Sequence, residues 1–342
     1  MLKVRPYQLL CVVCGFGEYG SGPRDPQLRT LLEKIRANPD LPVSLRCNVD
    51  DLFSYQSPGI PRGAAGGAEY NRKRDLDILR ILDLPPGIVL PARIILLALL
   101  KRISTVRGLC AYGSVAPAAW QGCPKAFSGY YERGRRMGIQ AIVPPRKPAE
   151  RACDRALALK EMRSASAIRA RPHILLCAVA QYGNGIRPPF ADDNLPEMIQ
   201  RVLRKPSTHI TLVSGADRMM CGPCPYRNPI GGVCAVGAFG SGGLYNELKD
   251  LNVLQRLGLA YGATLEAREL FGMIFRRIPD VRGVCALDRG IPRSSLWRDA
   301  CGRDPDPCPG YRKGRRILMK ALAGSDRAKA SVPRHFERIR GS

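Results

Sequence analysis

Nothing in this 342-residue chain is long and apolar enough to cross a bilayer. The longest such run, residues 88–100, is interrupted by Pro91 and Arg93 and falls short of the roughly 20 residues a helical span needs. The first residues join no basic start to a long apolar stretch and a small-residue cleavage site, since residues 1–7 are followed only by the short run 8–14. That argues against secretion, and with it against a disulfide framework. A cytoplasmic, membrane-free protein is the expectation. Acidic residues are also few, 29 against 54 basic ones, which leaves a net charge of +25. The basic residues are mostly Arg, scattered through Arg72-Lys73-Arg74, Arg135-Arg136, Arg276-Arg277 and Arg315-Arg316. No recognition element accompanies them: there is no Cys/His finger, no aromatic RNA-binding strand and no GxxG clamp. Nucleic acid is therefore a candidate partner on charge alone, and an unidentified protein or redox partner is the other.

What the chain does have is cysteine, thirteen in all. Cys221-Gly222-Pro223-Cys224-Pro225 places two thiols two residues apart on backbone made of turn formers, and Cys234 follows within a Gly- and Pro-rich segment. Such thiols suit a soft metal better than a packed core. Upstream, residues 173–180 read as a strand carrying His173 and Cys177, and 209–213 as a second strand leading towards Cys221. If the two pair, Cys177 completes a site with Cys221, Cys224 and Cys234, and His173 supports a ligating sulfur from outside the ligand set. A thioredoxin-like dithiol would need the CxxC to open a helix, and Pro225, Asn228 and Pro229 oppose that. Cys285, Cys301 and Cys308 form a looser second group in turn-like sequence, with Asp306 or His335 as a further donor. Four thiolates suit tetrahedral zinc and a four-iron cluster alike.

In chain order the sequence predicts a strand at 8–14, a helix at 26–36, a strand at 43–47, and helices at 69–82 and 91–103. The order then repeats. Arg5, Pro6 and Cys11 correspond to Arg171, Pro172 and Cys177; Tyr70, Asn71 and Asp75 to Tyr245, Asn246 and Asp250. Residues 106–110 recur as 281–285, 131–136 as 311–316, and Trp120 and Cys123 as Trp297 and Cys301. The chain therefore reads as a tandem duplication of a small α/β module with an α+β tendency: 1–145, an Ala- and Arg-rich linker helix within 146–170, and 171–342. The first copy has Tyr55 and Pro58 at the positions of Cys221 and Cys224, and Tyr7 at that of His173, so it is expected to be a degenerate scaffold, although Cys11, Cys14 and Cys47 could still cluster. Gly15-Phe-Gly17-Glu-Tyr-Gly20 matches a dinucleotide fingerprint literally, but the following Ser21-Gly22-Pro23 delays any helix, which argues for a plain glycine turn. The adjacent carboxylates Asp50-Asp51 and Asp192-Asp193 point apart on a strand, or favour a helix start, rather than forming a catalytic pair. No catalytic residue is assigned.

The second copy resembles the bacterial and archaeal family known as domain of unknown function 1284. The residues carrying the resemblance are Arg171-Pro-His173 with Cys177, Tyr182-Gly-Asn-Gly185, Val213-Ser-Gly-Ala-Asp217, Cys221-Gly-Pro-Cys224-Pro225, Gly232-Val-Cys234 and Asp250, with Cys285 similar to a late family cysteine. Ile174, Arg218 and Leu287 depart from the family pattern. The resemblance implies iron and sulfur at the Cys-rich site, without naming a reaction.

Overall fold

The computed structural model describes residues 1–47, 68–113, 120, 122–234, 242–285 and 308–330. Helices dominate, around small mixed sheets, in an α/β arrangement that divides into two units, the first Met1–Pro145 and the second running from Arg146. In the first, β1 (Leu2–Val4) leads into α1 (Pro6–Tyr19), α2 (Pro26–Ala37), β2 (Pro42–Leu45), α3 (Ala68–Leu82), β3 (Val89–Pro91), α4 (Ala92–Arg102), α5 (Tyr130–Met137) and the single turn α6 (Ile139–Ile142). Strand β2 lies at the centre, parallel to β1 with Leu2 opposite Val43, and antiparallel to β3 with Val43 opposite Leu90.

The second unit opens with α7 (Pro148–Ser164) and then runs through β4 (Ala167–Ala170), α8 (Pro172–Gly183), α9 (Leu195–Arg204), β5 (His209–Leu212), α10 (Arg218–Cys221), a hairpin of β6 (Arg227–Asn228) and β7 (Val233–Cys234), α11 (Gly242–Leu257), β8 (Thr264–Glu266), α12 (Ala267–Arg277), α13 (Arg282–Cys285) and α14 (Pro309–Ala330). Its three-stranded sheet has the same plan, with β5 parallel to β4 and antiparallel to β8.

Two predicted strands are helices. Residues 8–14 and 173–180 lie inside α1 and α8, and the strands are the short segments just before them. A brief apolar run has no periodicity that separates a buried strand from a buried helix, and here the start signal decides. In each copy an extended Arg precedes a Pro, whose fixed φ suits the first helical position. The Gln8 side-chain oxygen accepts the Arg5 backbone N–H at 2.8 Å, and Gly20, at φ 75°, ends α1 in the left-handed region. Gly15 and Gly17 thus sit within a helix, which removes the strand-turn-helix setting a dinucleotide fingerprint requires.

Both units repeat the same internal fastenings. The Arg5–Asp75 ion pair (2.7 Å) and the Arg171–Asp250 pair (2.6 Å) are buried at equivalent places. Tyr131 donates to the Ile103 carbonyl at 2.9 Å, and Tyr311 to that of Ile278 at 2.7 Å, each just beyond the C-terminus of the preceding long helix. Helix α1 meets α5 backbone to backbone at Gly17 and Gly134, as α8 meets α14 at Gly183 and Gly314. Around these contacts lie the two apolar cores, built on residues such as Leu9, Val13 and Leu96 in the first unit and Leu175, Val179 and Phe271 in the second. Among the described residues no helix is long and apolar enough to cross a membrane.

Candidate metal centre

In the second unit Cys221 ends the one-turn helix α10, whose start is capped by the Asp217 carboxylate accepting from Met219 N–H at 2.7 Å. The chain then turns, with Cys224 N–H donating to the Cys221 carbonyl at 3.1 Å, and the β6–β7 hairpin brings Cys234 back opposite Arg227. The CxxC loop has its own carbonyls gripped. Arg146 donates to those of Gly222 and Cys224, both at 2.9 Å, and Arg151 to that of Pro223 at 2.6 Å. Arg146 also pairs with Asp154, which holds Arg227 at 3.2 Å. Helix α7, expected as a linker, is therefore the platform on which the loop rests.

Burial pushes the Cys221 and Cys224 thiols up, and the nearby Cys234 sulfur adds to the effect on both. A thiol at the C-terminal end of a helix gains nothing from the dipole, so the activated dithiol arrangement is absent. Arg171, only 3% exposed and paired with Asp250, lies near enough to feel Cys221 and Cys234 as well. The Cys234 sulfur accepts from Asn246 at 3.5 Å. Cys177 lies on α8, one turn beyond His173 and half-buried against the core, instead of on a strand paired with β5. What brings its helix to the same end of the sheet as the CxxC segment is the parallel pairing of β4 with β5.

His173 is buried and fixed by Asp250, whose Oδ1 accepts from the His173 backbone N–H at 2.8 Å and lies 2.7 Å from Nδ1. This leaves the Nδ1 proton on the Asp250 side. Burial holds the His173 pKa below its usual value, whereas Asp250, despite desolvation, is held below the carboxylate range by His173 and Arg171. Beside the CxxC, burial pushes the Asp193 carboxyl up to about 6, and its Oδ1 accepts from Leu195 N–H at 3.0 Å at the start of α9. Asp192 instead meets Arg151 at 2.9 Å. The two carboxylates face different partners.

Cys285 and Cys308 both lie near Tyr311. Cys301, Asp306 and His335, like Asp50, Asp51, Tyr55 and Pro58, lie outside the described residues. Of the four arginines at the matching places Arg135-Arg136 and Arg315-Arg316, two are used by the fold. Arg135 Nε donates to the Leu100 carbonyl at 2.8 Å and Arg315 Nη2 to that of Phe275 at 2.8 Å, while Arg136 and Arg316 are exposed.

The first unit, read from the sequence as a degenerate scaffold in which Cys11, Cys14 and Cys47 could still cluster, places four thiols around one cavity. Cys11 and Cys14, three residues apart on one face of α1, line a cavity of about 240 Å3 together with Cys110 and Cys123. The last two are tied by the Cys123 N–H donating to the Cys110 carbonyl at 2.7 Å, next to an antiparallel bridge between Ala111 and Gly122. Tyr70 donates to the same Cys110 carbonyl. Cys47, named with Cys11 and Cys14 from the sequence, is instead fully buried in the core. Burial pushes the Cys11 thiol up to about 12 and those of Cys14 and Cys110 higher still, with the neighbouring thiols adding to the effect. The sequence did carry the signal, because Cys11, Cys110 and Cys123 each have a cysteine at the matching place in the second copy.

Among the described residues no three His, Cys, Asp or Glu side chains form a group that could hold a metal ion. The thiols of the first unit surround a space; they do not converge on one point. No family model, no curated protein and no solved structure matches the chain.

Proposed function

We propose that this chain is a thiolate metal protein whose second unit binds an iron–sulfur cluster through Cys221, Cys224 and Cys234, with Cys177 as fourth ligand. The observation that supports this reading is the CxxC turn, whose carbonyls are held by Arg146 and Arg151 and whose Cys221 and Cys224 both feel the Cys234 that the β6–β7 hairpin returns. The donor chemistry fits, since thiolates are the ligands of such clusters, and the Arg171 guanidinium lies near Cys221 and Cys234. The resemblance to domain of unknown function 1284 leads to the same group. Each thiol loses its proton on ligation, so burial that raises the thiol pKa makes binding more sensitive to pH. The role is redox or structural, in a cytoplasmic setting and with a protein partner; no residue is assigned to a reaction. A zinc-stabilised module, with or without nucleic acid as partner, is the second reading, because the same four donors suit tetrahedral zinc. Iron, zinc and acid-labile sulfide should be measured in protein prepared without oxygen. Visible absorption with iron and sulfide that Cys221→Ser diminishes supports the cluster. Stoichiometric zinc without sulfide replaces it with the zinc module.

A further inference from the structure

We infer that the first unit is itself a cluster-binding site, in which Cys11, Cys14, Cys110 and Cys123 hold an iron–sulfur cluster inside the cavity they line. This concerns thiols other than those of the second unit and stands whether or not that unit binds metal.

The cavity's size is the first observation. At about 240 Å3 it is many times the roughly 10–15 Å3 one water needs, and it is more than a single ion could fill while touching every wall. It is smaller than the roughly 300–1,000 Å3 usual for organic ligands. A compact group of several atoms suits it, and four thiols at its wall select one that is built on soft metal.

The supports of the thiols form the second observation. Cys11 and Cys14 ride on one helix, while Cys110 and Cys123 sit on two segments joined by backbone bonds and pinned through Tyr70. A set of donors fixed from two sides needs little ordering when a cluster enters.

Charge is the third. A cluster with four thiolates carries net negative charge, and the cavity offers a buried cation. Arg74 lines it, is 3% exposed and stacks 3.8 Å from the Tyr7 ring. One Nη donates to Asn71 at 2.8 Å, but its Nε is buried without a hydrogen-bond partner. A buried guanidinium N–H left unmatched costs free energy, and a cluster sulfur would accept from it. Elsewhere on the wall Lys125 is paired with Glu18 at 2.7 Å, and Arg24 and Asp25 offset each other in charge, which leaves Arg74 as the buried cation.

The test uses the full chain, loaded without oxygen with ferrous iron and sulfide. In the Cys221→Ser/Cys224→Ser variant, about four iron and four sulfide per chain should remain for a four-iron cluster, with visible absorption. The Cys14→Ser/Cys123→Ser variant should lose that amount, and Cys47→Ser should lose none. Equal iron and sulfide in Cys14→Ser/Cys123→Ser and in the unaltered chain would overturn the inference, as would zinc without sulfide in the Cys221→Ser/Cys224→Ser variant. Should a variant fail to fold, alkylation of the unaltered chain decides: loading should protect Cys11, Cys14, Cys110 and Cys123, and unchanged labelling of all four would refute the site. Loss of iron confined to the Cys221→Ser/Cys224→Ser variant would instead uphold the second-unit reading alone.

Discussion

Replacing Gly314 by Ala tests whether the helix pairs hold each unit together through backbone contact. A Cβ at Gly314 would lie 2.0 Å from the Val179 carbonyl oxygen and 3.1 Å from Gly183 N, and one at Gly134 would lie 2.0 Å from the Val13 carbonyl oxygen. Neither obstacle is a side chain that can rotate away. The helices would have to part by at least about 1 Å, which in a close-packed interior opens gaps along the whole contact. Overpacking of this kind costs about 1–3 kcal/mol, and rigid backbone on both sides puts these two sites at the upper end. Gly272 is the control, since it also lies within a helix but its Cβ would meet only the mobile end of Arg276 at 3.4 Å. There the gain in helix propensity should win, by up to about 1 kcal/mol. Urea unfolding followed by circular dichroism should thus separate Gly314→Ala and Gly272→Ala in opposite directions. Gly314→Ala as stable as the unaltered protein would refute the close-contact argument.

Three further outcomes are expected. Removing Arg5 alone leaves Asp75 buried without its partner, so Arg5→Met should cost about 3–5 kcal/mol, and adding Asp75→Leu should recover most of it; additive losses in the urea series would rule this out. Because the folded-state pKa of His173 lies below its unfolded value, its contribution to stability is complete above about pH 6.5 and is lost as pH falls towards the folded value, with a slope of at most about 1.4 kcal/mol per unit. His173→Asn, which keeps a donor towards Asp250, should flatten unfolding free energy as pH falls below about 6.5, and an unchanged slope would remove His173 as its source. Arg135→Gln should destabilise by about 1 kcal/mol through the lost bond to Leu100, whereas exposed Arg136→Gln should stay within about 0.5 kcal/mol; the reverse order would mean Arg135 is not fastening the fold.

The sequence made the architecture legible wherever a feature was periodic or repeated. Helices at 26–36 and 69–82 fall almost where they were expected, as does the strand at 209–213, and the Ala- and Arg-rich helix expected within 146–170 spans Pro148–Ser164. It failed at 8–14 and 173–180, where apolar residues on every side hide the period of a helix buried against a glycine-bearing neighbour. The cavity thiols were hidden for a different reason. Cys14 and Cys123 are far apart in sequence, and only the fold brings α1 against the segment after residue 105. Spacing alone favoured Cys221 and Cys224 because two residues separate them, although Cys11 and Cys14 have the same separation and were masked by the strand reading.

The arginine excess follows from the same geometry. A fold of short helices has many C-terminal carbonyls without intrahelical partners, and each needs a donor. Arg36 supplies Ala141 and Ile142, Arg135 supplies Leu100, Arg277 supplies Leu257 and Arg315 supplies Phe275, all at the ends of helices. Guanidinium serves here because its planar fork reaches two acceptors and still leaves its stem to pack on apolar surface, which an ammonium does less well. Others serve the thiols directly, with Arg146 and Arg151 fixing the CxxC loop and Arg171 and Arg74 placing buried positive charge where thiolates would form. A net charge of +25 therefore says less about a polyanionic partner than it would in a protein with long, self-satisfied helices. Part of the positive charge is positioned to complete the fold, at the ends of its helices and along the CxxC loop.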